Sequence, residues 1–225
     1  MKRTRVLLAD DHKIVLEGLR SLLQEDFELV GMVTDGRALV SMALELHPDV
    51  IVVDISMPLL NGIEAVRQIK NVDRHVKVVF LTMQPDVTYA IRAFEAGAAG
   101  YVLKHSASSE LITAIQEAVK GKTYVTPMIA GELMQAYQGG VHRHPDQAWQ
   151  LTQRQREVLQ LLAEGCSAKE IGNIMNISPR TVEFHKYNLM SKLNLKNSSA
   201  LVQYAIQHGI TGFKAEEETS RRKPK

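Results

Sequence analysis

Two hydrophobic textures alternate along the first 120 residues. Short unbroken apolar runs, Val6–Ala9, Leu29–Thr34, Val50–Val53, Val76–Leu81 and Tyr101–Leu103, have the length of strands. Between them apolar residues recur at helical spacing: Val15, Leu19, Leu22 and Leu23; Ala38, Val40, Ala43, Leu44 and Leu46, stopped before Pro48; Ile63, Val66 and Ile69; Tyr89 to Ala96, closed by Gly97; and Leu111, Ile112, Ile115, Ala118 and Val119, closed by Gly121. Strand then helix, five times over, predicts a parallel sheet with helices on both faces. An unbroken run such as Val50–Val53 suits a strand buried on both sides.

The polar residues that follow these strands converge. Asp10 and Asp11 end the first run, Asp54 the third, Thr82 the fourth and Lys104 the fifth. In an open α/β sheet the carboxyl ends of the strands share one edge, where ligands bind. Three carboxylates there repel one another, and a hard divalent cation with oxygen ligands relieves this; Mg²⁺ suits a site that also holds a phosphate. Asp54 reads as the acceptor of a phosphoryl group, with the Lys104 ammonium and the Thr82 hydroxyl as its donors. A single acid at a strand end is more simply a helix cap; all five at matching ends are poorly explained by chance.

After residue 122 the pattern changes. Val125-Thr126-Pro127 with Ile129, Leu133, Met134 and Tyr137 predicts one helix, and Gly139-Gly140 through Asp146 reads as a linker. His142 and His144 within it read as solvated rather than metal-binding. From Leu151 four helices follow. Thr152-Gln153-Arg154-Gln155 and Ser167-Ala168-Lys169-Glu170 are capping boxes, and Ser178-Pro179 supplies an N-cap and first helical residue. A short helix, a tight turn at Asn176-Ile177 and a longer helix make a helix-turn-helix. In the longer helix Val182, His185, Leu189 and Leu193 form an inward stripe. Arg180, Lys186 and Lys192 are candidates for phosphate contacts, and Thr181 for a phosphate at the helix N-terminus. Glu183, Phe184 and Tyr187 are candidates for base edges.

Charge sharpens this division. Residues 1–150 carry 15 basic and 18 acidic side chains, residues 151–225 carry 12 and 7, so the polyanion-binding character lies in the C-terminal part. Charge alone does not separate a DNA reader from a helical bundle with a mildly basic face. The single cysteine, Cys166, forms no disulfide framework, and no apolar run is long enough for a signal sequence or a membrane span; a cytoplasmic protein without membrane insertion is expected.

Residues 4–122 resemble the receiver domain of two-component response regulators, through Asp10-Asp11, the Asp54-x-x-Met57-Pro58 turn with Gly62, Thr82 and Lys104. Residues 149–211 resemble a LuxR-type DNA-binding domain, through Leu151-Thr152, Arg154, Glu157-Val158-Leu159, Gly165, Lys169-Glu170-Ile171, Ile177-Ser178, Thr181-Val182, His185 and Lys192-Leu193. Together these resemble the NarL/FixJ subfamily. The resemblance implies a flavodoxin-like receiver (five-stranded parallel sheet, order 2-1-3-4-5) over 1–122, a linker with one helix over 123–148, an all-α four-helix domain over 149–212 and a disordered charged tail over 213–225. It implies Asp54 as phosphoacceptor, Asp10, Asp11, Asp54 and the Ser56 carbonyl as Mg²⁺ ligands, Thr82 and Lys104 as catalytic groups, and Thr82 and Tyr101 as a switch pair whose ring turns inward. It also implies pairing of two chains through a fourth helix, which Ala200, Leu201, Tyr204 and Ala205 fit.

The expected function is a transcription regulator that receives a phosphoryl group from a cognate histidine kinase and binds double-stranded DNA as a homodimer. In its off state the receiver would cover the recognition helix or block pairing. Alternatives are a phosphorylation-independent DNA binder and an aspartyl-phosphate hydrolase. The hydrolase usually has a second acid two residues after its nucleophile, where this chain has Ser56. Three further departures stand out: Met83 beside Thr82, His105 where proline is frequent, and Glu183 where a basic residue is frequent.

Overall fold

The computed structural model describes residues 3–138 and 151–211. The Gly139–Asp146 linker, with His142 and His144, and the charged tail at 213–225 lie outside the described residues.

Strands β1 (Arg5–Ala9), β2 (Glu28–Val33), β3 (Val50–Val53), β4 (Lys77–Thr82) and β5 (Gly100–Leu103) alternate with helices α1 (Lys13–Leu23), α2 (Gly36–Leu46), α3 (Gly62–Val72), α4 (Val87–Glu95) and α5 (Ala107–Val119). All strand pairs are parallel, and the order begins 2-1-3-4-5 as expected. A sixth strand, β6 (Tyr124–Val125), extends the sheet beside β5. Two residues carry no readable periodicity, so this strand was not anticipated. It carries the sheet past residue 122, and helix α6 (Pro127–Gln138) then returns onto the receiver, burying Ile129 and Leu133 in the core beneath α4.

The period of two along a strand divides the core. Leu7, Ile51, Val53, Val78, Phe80, Tyr101 and Leu103 face α2, α3 and α4; Val6, Leu8, Val50, Val52, Val79, Leu81 and Val102 face α1 and α5. The four-valine-class run of β3 is therefore apolar throughout because each face has its own layer of helices. Where β3 ends, the chain turns tightly into α3. Gly62 donates its N–H to the Ile55 carbonyl at 2.9 Å. A Cβ at Gly62 would lie 2.0 Å from the Asp54 carbonyl oxygen, so only glycine lets α3 begin this close to Asp54.

The C-terminal part folds as α7 (Gln153–Ala163), α8 (Ala168–Met175), α9 (Pro179–Lys192) and α10 (Ser198–Gln207). Both expected capping boxes form, Thr152 with Gln155 and Ser167 with Glu170. Asn176 ends α8 in the left-handed region (φ 53°), and Ser178 caps α9 through the Thr181 N–H at 3.1 Å. Val158, Leu159, Leu161, Ile171, Met175, Val182, Leu189, Leu193, Leu201, Tyr204 and Ala205 form one core, an all-α four-helix helix-turn-helix unit.

Gly62→Ala is expected to destabilise the receiver by about 2–3 kcal/mol, because backbone must move to admit the methyl group. Gly131→Ala, in the interior of α6 with nothing within 4 Å of the added Cβ, should stabilise by up to about 1 kcal/mol. Urea unfolding of the two variants checks this; a Gly62→Ala as benign as Gly131→Ala would contradict the close approach.

Candidate phosphoacceptor site and nucleic-acid interface

Asp54 continues the line of β3, its N–H bonded to the Ala9 carbonyl at 2.8 Å, and its side chain is buried. Lys104, just past β5, reaches across β4. Its Nζ lies 2.8 Å from Asp54 Oδ2 and 2.6 Å from Asp10 Oδ2. Asp54 Oδ1 is buried and has no hydrogen-bond partner. Burial pushes the Asp54 carboxyl above its ordinary value; Lys104 opposes this by charge and hydrogen bond, and Asp10 adds to it. Burial alone would lower the Lys104 ammonium, but Asp54 and Asp10 outweigh burial and hold it above its ordinary value. The lysine therefore stays charged between the two acids.

Asp11 is partly exposed beside Asp10, and His12 Nδ1 lies 2.7 Å from Asp11 Oδ1 and 3.3 Å from Asp10 Oδ1. Ligand atoms of Asp10, Asp11 and His12 all fall within 4.8 Å of one another. The carboxylate oxygens of Asp10, Asp11 and Asp54 are hard donors, and Asp54 Oδ1 is a buried oxygen without a hydrogen-bond partner that a cation would satisfy. These residues fit Mg²⁺. His12 went unnoticed in the sequence because one imidazole after two acids has no pattern of its own.

Thr82 is buried at the end of β4, and its Oγ1 accepts the Gln84 N–H at 3.2 Å. Tyr101 is fully buried and donates its hydroxyl to the Gln84 carbonyl at 2.8 Å. The ring expected to swing inward is thus already inward, tied to the same residue as Thr82. Burial pushes the Tyr101 phenol far above its ordinary value, so it remains a neutral donor. Met83 is exposed next to Thr82, and no peptide bond among the described residues is cis, the Lys104–His105 bond included.

On α9, Arg180, Glu183, Phe184, Tyr187 and Lys192 are exposed, while Thr181 and Lys186 are half-buried. Thr181 Oγ1 is 2.8 Å from the Ser178 hydroxyl, and Lys186 Nζ is 3.9 Å from Glu183. Phe184 and Tyr187, 63% and 72% exposed, are apolar bodies held outward on a polar helix. In this conformation the receiver does not cover them. On α10, Ala200 is half-buried, whereas Leu201, Tyr204 and Ala205 are buried in the helix-turn-helix core against α7. Their apolar character holds the domain together, so in this conformation they offer no surface for a second chain.

Residues 6–116 match the family described as the response regulator receiver domain, and residues 149–205 the bacterial regulatory proteins of the luxR family. The chain belongs to the response regulators, with a LuxR-type helix-turn-helix. Similar proteins include the transcriptional regulatory protein LiaR of Bacillus subtilis, 38% identical over 92% of this chain and 98% of that one. The oxygen regulatory protein NreC of Staphylococcus epidermidis is 35% identical over 93% and 100%. Among solved structures, RcsB of Salmonella enterica serovar Typhimurium, bound to a promoter with a phosphomimetic, is 29% identical with a TM-score of 0.60, covering 92% of this chain and 100% of that one. This response regulator is not an enzyme; its family regulates transcription through DNA. No helix among its described residues is long and apolar enough to cross a membrane.

The raised Asp54 pKa has a consequence for stability. The folded regulator keeps the Asp54 proton at pH values where the unfolded chain has lost it, so this contribution is favourable at low pH and is lost as pH rises through the folded pKa. In Mg²⁺-free buffer Asp54→Asn should therefore stabilise the protein at neutral pH, the gain shrinking toward acid. Urea unfolding across pH measures it; a gain that grows toward acid would contradict the assignment.

Proposed function

We propose that the protein is a DNA-binding transcription regulator switched by transfer of a phosphoryl group from a histidine kinase to Asp54. The observation that carries this reading is the buried Asp54 carboxylate, with one oxygen held by Lys104 and the other unpartnered, in a chain that ends in a helix-turn-helix. In the transfer the Asp54 oxygen attacks phosphorus, the bond from phosphorus to the kinase imidazole breaks, and the imidazole keeps the electron pair. Bound Mg²⁺ would be held by Asp10, Asp11, Asp54 and the Ser56 carbonyl, and would neutralise charge on the phosphoryl oxygens. Lys104 supplies a fixed positive charge, and Thr82 a hydroxyl donor once it releases Gln84. Burial keeps bulk water from the acyl phosphate.

Phosphorylation relieves inhibition of the helix-turn-helix domain and promotes DNA binding by a homodimer, in the cytoplasm. Arg180, Thr181, Lys186 and Lys192 position the protein on phosphates, while Glu183, Phe184 and Tyr187 face the bases. Pairing would require a face of α10 other than its packed one, since Leu201, Tyr204 and Ala205 are committed to the core. One observation favours a second reading, DNA binding without phosphorylation: Tyr101 is already inward and bonded.

Incubation with a small acyl phosphate and Mg²⁺ should add one phosphoryl group to the wild type, at Asp54, and none to Asp54→Asn. Lys104→Ala should slow uptake by on the order of 100-fold. Uptake by Asp54→Asn, or an unchanged rate in Lys104→Ala, would overturn the assignment. In the DNA domain, Arg180→Ala should weaken binding similarly across sequences and reduce the slope of log affinity against log salt by about one; an unchanged slope would remove it from the phosphate contacts.

A further inference from the structure

The outward side of α9 is an acidic and aromatic stripe with basic groups on its flanks. At about 100° per residue, Arg180, Glu183, Phe184, Tyr187 and Ser191 fall on one side of the helix, and all five are exposed. Val182 and Leu189, both fully buried, lie on the opposite side and hold the helix to the core. Lys186 and Lys192 stand on the two flanks, roughly 120° to either side of the stripe. Each residue advances about 1.5 Å along the axis. Glu183 to Tyr187 therefore covers about 6 Å, close to two base-pair steps of about 3.4 Å. Laid along a major groove, the stripe meets three consecutive base pairs while the lysines reach the phosphates on both sides.

The chemistry of the stripe limits which bases it accepts. Arg180, one turn earlier, is assigned to phosphate. Glu183, Phe184 and Tyr187 carry no positive charge, so the centre lacks the arginine or lysine that reads guanine. The Glu183 carboxylate only accepts hydrogen bonds. Guanine O6 and N7 and thymine O4 are acceptors too, and repel it. Adenine offers an amino group beside its N7 acceptor, whereas the amino group is cytosine's own sole polar group in the major groove. Cytosine is thus the base that suits Glu183. Phe184 presents an apolar ring, 63% exposed, whose match in the groove is the thymine methyl group. The half-buried His185 steadies that ring edge-on, with centroids 6.2 Å apart and planes at 62°.

A carboxylate brought among phosphates is repelled by them, and Lys186, with Nζ 3.9 Å from Glu183, offsets part of that charge. The simpler account is that Glu183 serves only this ion pair. Exposed pairs of this kind contribute little, and the pair does not explain an acid at the middle of the outward stripe.

We propose that α9 reads a cytosine through Glu183 and a thymine at the neighbouring base pair through Phe184, so that adjacent cytosine and thymine mark each half-site. Tyr187, whose hydroxyl both donates and accepts, covers the third pair with little discrimination. This deepens the proposed function and rests on its placing α9 in the major groove.

The test selects random duplexes with the full chain, treated with the small acyl phosphate and Mg²⁺, as wild type, Glu183→Ala, Glu183→Gln and Phe184→Ala. Both side chains are exposed, so the variants keep the core. The wild type should prefer cytosine at one position of each half-site by on the order of tenfold. Glu183→Ala should reduce this preference to less than about twofold, and Glu183→Gln should move it to adenine, whose amino group and N7 match an amide. At the neighbouring position, uracil in place of thymine removes only the methyl group. That exchange should weaken wild-type binding about fourfold and leave Phe184→Ala unaffected. A cytosine preference that survives in Glu183→Ala, with affinity rising equally for all sequences, would assign the acid to its Lys186 pair and overturn the inference. Equal wild-type affinity for the thymine and uracil duplexes would overturn the role of Phe184. Failure of the proposed function looks different: duplexes retained by none of the four proteins would remove DNA binding itself, whereas retention without a selected motif would leave a DNA-binding protein and overturn the base reading alone.

Discussion

Two buried carboxylates at the ends of neighbouring parallel strands repel each other, and the site depends on how that repulsion is met. Asp10 and Asp54 are both nearly devoid of solvent, and one lysine ammonium bridges them across the width of β4. The bridge is incomplete: it neutralises one oxygen of Asp54 and leaves the other without a partner. A pair so arranged is poor as a stabilising element, since desolvation offsets much of its attraction. Under the proposed function, the unmet oxygen is the one that gains most when a cation and a phosphoryl group arrive. The sheet, the glycine at 62 and the reach of Lys104 all bear on that one position.

The same constraint extends into the turn after Asp54. Gly62 allows α3 to start within contact of the Asp54 carbonyl, which leaves the intervening residues a short, tight path. That path carries the Met57 carbonyl and Asn61 amides on the side facing α7. Chemistry at a strand end and packing of a second domain thus meet in a handful of residues. Small displacements there have a discrete consequence, because a buried hydrogen-bonded amide such as Gln160 is either satisfied or costly.

Much of this was legible in the chain. Unbroken apolar runs ending on Asp10, Asp54, Thr82 and Lys104 placed those groups on one edge, and capping boxes at Thr152 and Ser167 marked helix starts that the structure reproduces. What escaped has physical reasons. β6 is two residues long and carries no period. Leu201, Tyr204 and Ala205 are apolar on one stripe, and sequence alone does not say what that stripe packs on; within this chain it packs in the core of the helix-turn-helix unit. Gln84, which ties Thr82 to Tyr101 through its backbone, acts by atoms every residue has. Gln160 had a faint signal, a polar side chain inside the run Val158 to Leu162, but its partners lie about a hundred positions away.

The central claim is that the phosphoryl state of Asp54 governs DNA binding. The most direct measurement selects duplexes from random or genomic fragments with wild type and Asp54→Ala, each with and without a small acyl phosphate and Mg²⁺. The account predicts that the donor sharpens binding and dimerisation in the wild type alone, the selected sites showing two-fold symmetry. Equal binding by both proteins under both conditions would contradict it, leaving a DNA reader whose receiver responds to something other than phosphate.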